Sequence, residues 1–132
     1  MERKQITLPI EPAEQIYWSN YYARLLRKTL RSRRAYALQN SPQVVRSHFE
    51  SFLSALHEAR YYPTLYPLAL ELVETLHPWP TKWGLWEVWG KELRFALEVA
   101  QQQVDLKRQV YFFYYLTETL MRMGDYLSLI HI

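Results

Sequence analysis

The chain contains no cysteine, so it can form neither a disulfide nor a thiolate zinc site. That composition is compatible with a reducing compartment. Glycine is also scarce. Gly84, Gly90 and Gly124 stand alone, and none leads into a Gly-Lys-Ser/Thr sequence. A loop that cradles phosphate needs clustered glycines opening a helix, so the chain has no residues for nucleotide binding of that kind. No run of 18 apolar residues occurs, which leaves no candidate membrane-spanning helix. The first five residues, Met-Glu-Arg-Lys-Gln, are not followed by the apolar stretch of a secretory signal. The expected location is cytoplasmic, with no membrane partner.

Groups that could carry chemistry are also missing. His48 and His57 are nine residues apart, about two and a half helical turns, and lean to different faces. No two histidines are spaced i, i+4, so no metal is expected. No serine sits in a nucleophile motif. The carboxylates Glu71, Glu74, Glu87 and Glu92 read as solvated helix faces rather than as an acid–base pair. The expectation is a protein without enzymatic activity and without cofactor.

What the chain does have is aromatic. Hydrophobic residues make up 49% of the 132, ordinary for one folded domain, but aromatics reach 16%, with eleven tyrosines and five tryptophans. Charge is uneven: residues 1–34 carry a net +5 and the remainder −2. Apolar spacing of three and four predicts helices and no strands. After a loose lead-in over residues 1–11, helix one is expected over 13–34. Its stripe is Trp18, Tyr21, Tyr22, Leu25, Leu26 and Thr29, and its basic end suits the helix dipole. Ser41 and Pro42 predict a capped restart over 42–61, with Val45, Phe49, Phe52, Leu53, Leu56 and Ala59 inward. Thr64 is expected to cap a third helix through Leu76. Residues 77–83 form a break, because Pro78 and Pro80 interrupt a helix. The fourth helix carries Trp86, Trp89, Leu93, Ala96, Leu97, Ala100 and Val104. Gly90 within it implies close approach of a neighbouring backbone. The fifth carries Leu106, Val110, Phe113, Thr117 and Leu120. Gly124 is expected to end it, with Asp125 capping or turning the chain into a next segment.

These last two helices resemble consecutive tetratricopeptide (TPR) repeats. The resemblance rests on Ala96-Leu-Glu-Val-Ala100, a polar spacer ending in Asp105, a helix, and Gly124-Asp-Tyr126. Trp89, Leu93 and Ala96 match packing positions of a second repeat helix, and Phe113, Leu116, Thr117 and Leu120 those of the next first helix. The repeat is about six residues longer than the strict TPR period. In that respect it is similar to repeats of bacterial signalling ATPases of the NB-ARC/STAND type. The resemblance implies an all-α fold of about five antiparallel helices in a right-handed solenoid over residues 1–126. It implies a scaffold that binds a protein or peptide, or a regulatory arm that contacts other domains of a longer parent chain.

On that template the groove positions fall on Tyr111, Tyr114, Glu118, Met121 and Arg122. Aromatic and arginine anchors suit a peptide groove. The run Tyr111-Phe-Phe-Tyr-Tyr115 surrounds a helix, so one or two of its rings must miss the core. A nucleic-acid reading would use Arg24, Arg27, Lys28, Arg31, Arg33 and Arg34, but it ranks below a solvated helix end because the aromatics precede the basic cluster rather than alternate with it. Leu127-Ser-Leu-Ile-His-Ile132 resembles a reading frame of a sequencing adapter, so residues 127–132 are expected to be a non-native tail on a fragment. A repeat array cut at residue 126 would leave the fifth helix uncovered, and the chain is then expected to dimerise or aggregate.

Overall fold

The computed structural model describes residues 11–130, and side chains as far as Asp125. Residues 1–10 of the lead-in and residues 131–132 of the tail lie outside the described residues. Among the described residues the chain is all-helical, without strands. Seven α-helices appear where the sequence predicts about five: α1 Pro12–Gln39, α2 Pro42–Ser47, α3 Phe49–Ala59, α4 Tyr66–Leu76, α5 Trp79–Lys82, α6 Trp86–Gln102 and α7 Leu106–Ile130.

The differences have local causes. The expected second helix divides at His48, whose backbone leaves helical geometry at φ −114° and ψ 15°. Ser47 Oγ donates to the Val44 carbonyl at 2.6 Å and Ser51 Oγ to the His48 carbonyl at 3.0 Å, short-range bonds that compete with the helical ladder. Thr64 does not cap α4, because Pro63–Leu65 forms a 3-10 turn and Leu65 takes the N-cap position. The proline-rich break holds a helix of its own, α5, with proline in its first turn, where the missing N–H breaks no helical bond. α1 continues five residues past Arg34, so its basic cluster lies inside the helix and not at its dipolar end. Ser41 does cap α2, accepting from the Val44 amide at 3.4 Å, with Pro42 in the first turn.

Glycine and valine share one task at two corners. α5 ends in a Schellman turn: Leu85 N–H reaches the Pro80 carbonyl at 3.0 Å and Gly84 N–H the Thr81 carbonyl at 3.2 Å, with Gly84 at φ +82°. α6 ends in the same way. Asp105 N–H reaches the Ala100 carbonyl at 2.9 Å and Val104 N–H the Gln101 carbonyl at 3.2 Å. Here the left-handed residue is Val104, at φ +53°. Val104 belongs to the predicted stripe but is 72% exposed, because the helix has already turned away. Gly90 also departs from expectation. A Cβ built there meets nothing within 4 Å, so no neighbouring backbone requires the glycine.

The core lies where the C-terminal half of α1 meets α3 and α4, and where α4 meets α6. Leu26 and Leu30 from α1, Phe52 and Leu56 from α3, Leu72 and Leu76 from α4, and Trp89 and Leu93 from α6 are buried together. Phe49 stacks edge-on against Trp83 and Trp89, which ties the corner around α5 to α3. The N-terminal half of α1 takes little part, through Ala23 at the edge of the core. Its spacing points Trp18, Tyr21, Tyr22 and Leu25 inward, yet all four are exposed.

One polar group crosses this core. Glu92 of α6 is 2% exposed, so it does not lie on the solvated face expected for it. Its Oε1 accepts from Arg60 at 2.9 Å and sits 2.6 Å from His57 Nε2, both from the end of α3. The Arg60 guanidinium also covers the Phe95 ring at 4.8 Å, and Tyr66 donates to the Arg60 carbonyl at 2.8 Å while packing edge-on against Phe95. A buried carboxylate without its cation is costly, so this contact sets how α3 lies on α6.

Two measurements check these assignments. Val104→Gly and Gly90→Ala should each raise stability by roughly 1 kcal/mol in urea titrations, the first by removing a β-branched residue from left-handed backbone and the second by removing an unneeded glycine from a helix. A loss of stability in either would contradict the local geometry. Glu92→Ala should cost roughly 3 kcal/mol, and Arg60→Ala should cost less on that background than alone. Additive costs would show that the two do not act as a pair.

Candidate protein-binding surface on the last helix

Asp105 starts α7. Its Oδ1 accepts from the Arg108 amide at 3.1 Å, a side-chain cap three residues in. Gln109 Nε2 returns to the Ala100 carbonyl at 3.2 Å, and Arg108 Nε pairs with Glu74 Oε1 of α4 at 2.8 Å. These contacts fix the rotation of α7 against α4 and against α6, its most extensive neighbour. The helix then runs through Gly124 and Asp125 to Ile130. Gly124 therefore does not end it: a lone glycine with open space around it is tolerated in a helix interior.

α7 is apolar on two sides. At 3.6 residues per turn, Arg108, Phe112, Tyr115, Leu116 and Thr119 share one face, and Leu106, Val110, Phe113, Thr117 and Met121 share another. The first face packs inward. Phe112 and Thr119 are fully buried, and Thr119 Oγ1 meets Thr81 Oγ1 of α5 at 2.8 Å. The second contains Leu106, Val110, Phe113 and Thr117 of the stripe that spacing assigns to the core, whereas Leu120 of that stripe is half-buried. This second face points out, with Phe113 63% exposed and Leu106, Val110 and Met121 similarly open.

Tyr115 sets the orientation of the aromatic run. Its ring stacks on His77 at 4.0 Å with an interplanar angle of 22°. His77 closes α4, and its Nδ1 accepts from the Trp89 indole N–H at 3.1 Å. That bond needs an unprotonated Nδ1, so the neutral ring carries its proton on Nε2. Burial lowers the His77 pKa from 6.5 to about 4. Burial, then Glu74, Tyr111 and Glu118, raise that of the Tyr115 phenol. Both rings are neutral at pH 7, and their stack leaves Tyr114, the preceding residue on the helix, 64% exposed.

The outward face forms two joined depressions. One, of about 460 Å³, lies against α6 between Leu97, Gln101, Val110, Phe113 and Tyr114. The other, of about 480 Å³, lies among Tyr114, Glu118, Met121, Arg122 and Asp125. Tyr114 and Thr117 line both. Four of the five residues expected in a groove, Tyr114, Glu118, Met121 and Arg122, thus line a single depression. Arg122 Nε sits 3.7 Å from Glu118 Oε1 at its edge. Tyr111 lies apart, stacked on Tyr115 with Lys107 over its ring. Helical spacing assigns Val110 and Phe113 to packing, but they line the surface. Leu97 and Gln101 join the site without being predicted there, although a leucine one turn before the end of a helix is a usable signal.

The basic cluster of α1 is divided among different surroundings. Arg24, Arg27, Lys28 and Arg31 are exposed, Arg33 is half-buried over Phe52 at 6.0 Å, and Arg34 Nε donates to Thr75 Oγ1 at 3.2 Å. His48 packs edge-on against Tyr36, and His57 serves Glu92, so the two histidines have separate roles. No family model, no curated protein and no solved structure matches the chain.

The His77 contact predicts an acid limb in stability. The unfolded histidine binds its proton near pH 6.5 and the folded one only near 4, so the stabilisation is complete above about 6.5 and is lost as pH falls through about 4. The loss should reach roughly 3 kcal/mol in denaturant titrations. His77→Gln keeps an acceptor for Trp89 and should flatten that limb. An unchanged pH profile in the variant would contradict the assignment.

Proposed function

We propose that this chain is a TPR-like protein-interaction module that binds a protein or peptide along the outer face of α7, without catalysis. The observation that carries the reading is the second apolar face of α7. Phe113, Tyr114, Val110 and Met121 lie exposed beside two joined depressions, on a helix whose opposite face is already buried. Contiguous exposed apolar surface of this kind marks interaction sites, and rigid aromatic anchors with a polar rim carry most of the binding energy at such sites. The helical hairpin of α6 and α7, joined by a three-residue connection, supports the repeat-like reading, in which a further helix or a ligand covers the outer face. In the parent-chain version of this reading, the covering partner is another domain of a signalling ATPase.

A nucleic-acid reading, which would use Arg24, Arg27, Lys28, Arg31, Arg33 and Arg34, has one favouring observation: all of these but Arg33 are exposed on α1. It requires binding that weakens steeply with salt and is lost on neutralising those residues.

Selection of peptides from a displayed library against the full chain tests the main reading. Selected peptides should lose about tenfold or more in affinity to Phe113→Ala or Tyr114→Ala, and nothing to Arg31→Ser. Peptides indifferent to both α7 substitutions would contradict it.

A further inference from the structure

A third concavity, of about 500 Å³, shares no lining residue with the two depressions beside α7 and lies where the stripe of α1 meets the corner after α3. Three tyrosines line it: Tyr22 from α1, and Tyr61 and Tyr62 from the turn after α3. Leu25 and Leu26 add apolar lining, and Glu58 supplies a carboxylate. Among the described residues Glu58 makes no ion pair, whereas Glu92 and Glu74 are both engaged. Tyr61 is 83% exposed and Tyr22 is open to solvent, so neither ring is held there by burial.

The charges of α1 are arranged to suit a positive guest. At 3.6 residues per turn, Tyr22, Leu25, Leu26 and Thr29 point toward the concavity, and Arg24, Arg27, Lys28 and Arg31 fall outside its lining. The charge inside is negative, from Glu58, and the aromatic faces are themselves attractive to cations through their quadrupoles. The anionic guest that the basic cluster would suggest meets none of those cations here.

From this we infer that Tyr22, Tyr61, Tyr62 and Glu58 form an aromatic cage for an alkylated ammonium group, such as a methylated lysine side chain on a partner peptide. Compact, weakly hydrated cations of this class gain most from several aromatic faces and one carboxylate. The apolar side chains of Leu25 and Leu26 receive the methyl groups. Trp18 continues the same face of α1 one turn away and is exposed, so the peptide backbone has a surface to follow outward from the cage. The site is separate from the outer face of α7 and stands or falls independently of it.

The probe is N-acetyl-trimethyllysine methylamide, titrated into the full chain and followed by amide and ring shifts in NMR spectra. Its neutral carbon isostere, with a tert-butyl group in place of the trimethylammonium, is titrated in parallel. The shifts should centre on Glu58, Tyr61 and Tyr62 and on Tyr22. The isostere should bind about fivefold or more weakly, and Tyr61→Leu and Glu58→Gln should each weaken the cationic probe about three- to tenfold. Both substituted positions are exposed, so circular dichroism should be unchanged. Equal binding of the isostere would overturn the inference and leave an apolar pocket only. Absence of shifts at the cage, or indifference to both substitutions, would overturn it as well.

Discussion

The carboxylate of Glu92 is the constraint on which the arrangement depends. It is a charge taken almost entirely out of water, and it is tolerable only because Arg60 and His57 reach it from the end of α3. Apolar packing alone would let α3 slide along α6 with small penalties, since leucines and alanines exchange neighbours cheaply. A hydrogen-bonded ion pair does not slide. With α3 fixed on α6, the 3-10 turn and α4 follow through Tyr66 and Phe95, and His77 arrives under Trp89. His77 then seats Tyr115, and through it the whole of α7.

α7 shows how one helix can be committed on one side and left available on the other. Its inner face is held by Phe112, by the hydroxyl pair of Thr81 and Thr119, and by the ion pair of Arg108 with Glu74. Its outer face has more apolar surface and fewer fixed bonds. The inner contacts are specific and the outer ones are open, the division that the proposed binding role requires.

The helices are legible in the amino-acid sequence and their faces much less so. Ser41-Pro42 marks a restart that the structure contains, and the stripes of Phe49, Phe52 and Leu56 and of Trp89, Leu93 and Ala96 point inward as their spacing predicts. Those helices have one apolar side, so periodicity has one answer. α7 has two, and apolarity favours the wrong one. Thr119 and Arg108 look like surface residues until Thr81 and Glu74, 38 and 34 positions away, are seen to meet them. Glu92 and His57 pose the same difficulty, because a buried ion pair between distant helices leaves no periodic trace. Trp18 and Tyr21 show the converse: a clear stripe needs a neighbour to cover it, and both are exposed. The placement of Tyr114, Glu118, Met121 and Arg122 around one depression follows from the repeat template rather than from periodicity. Tyr111 fails to join them because its ring stacks back on Tyr115.

Hydrogen–deuterium exchange on the full chain, with and without a selected peptide ligand, tests the central claim most directly. The account predicts slower exchange concentrated in α7 over residues 106–121 and in the adjoining end of α6, with residues 12–31 of α1 unchanged. Protection confined to α1, with α7 unaffected, would contradict it.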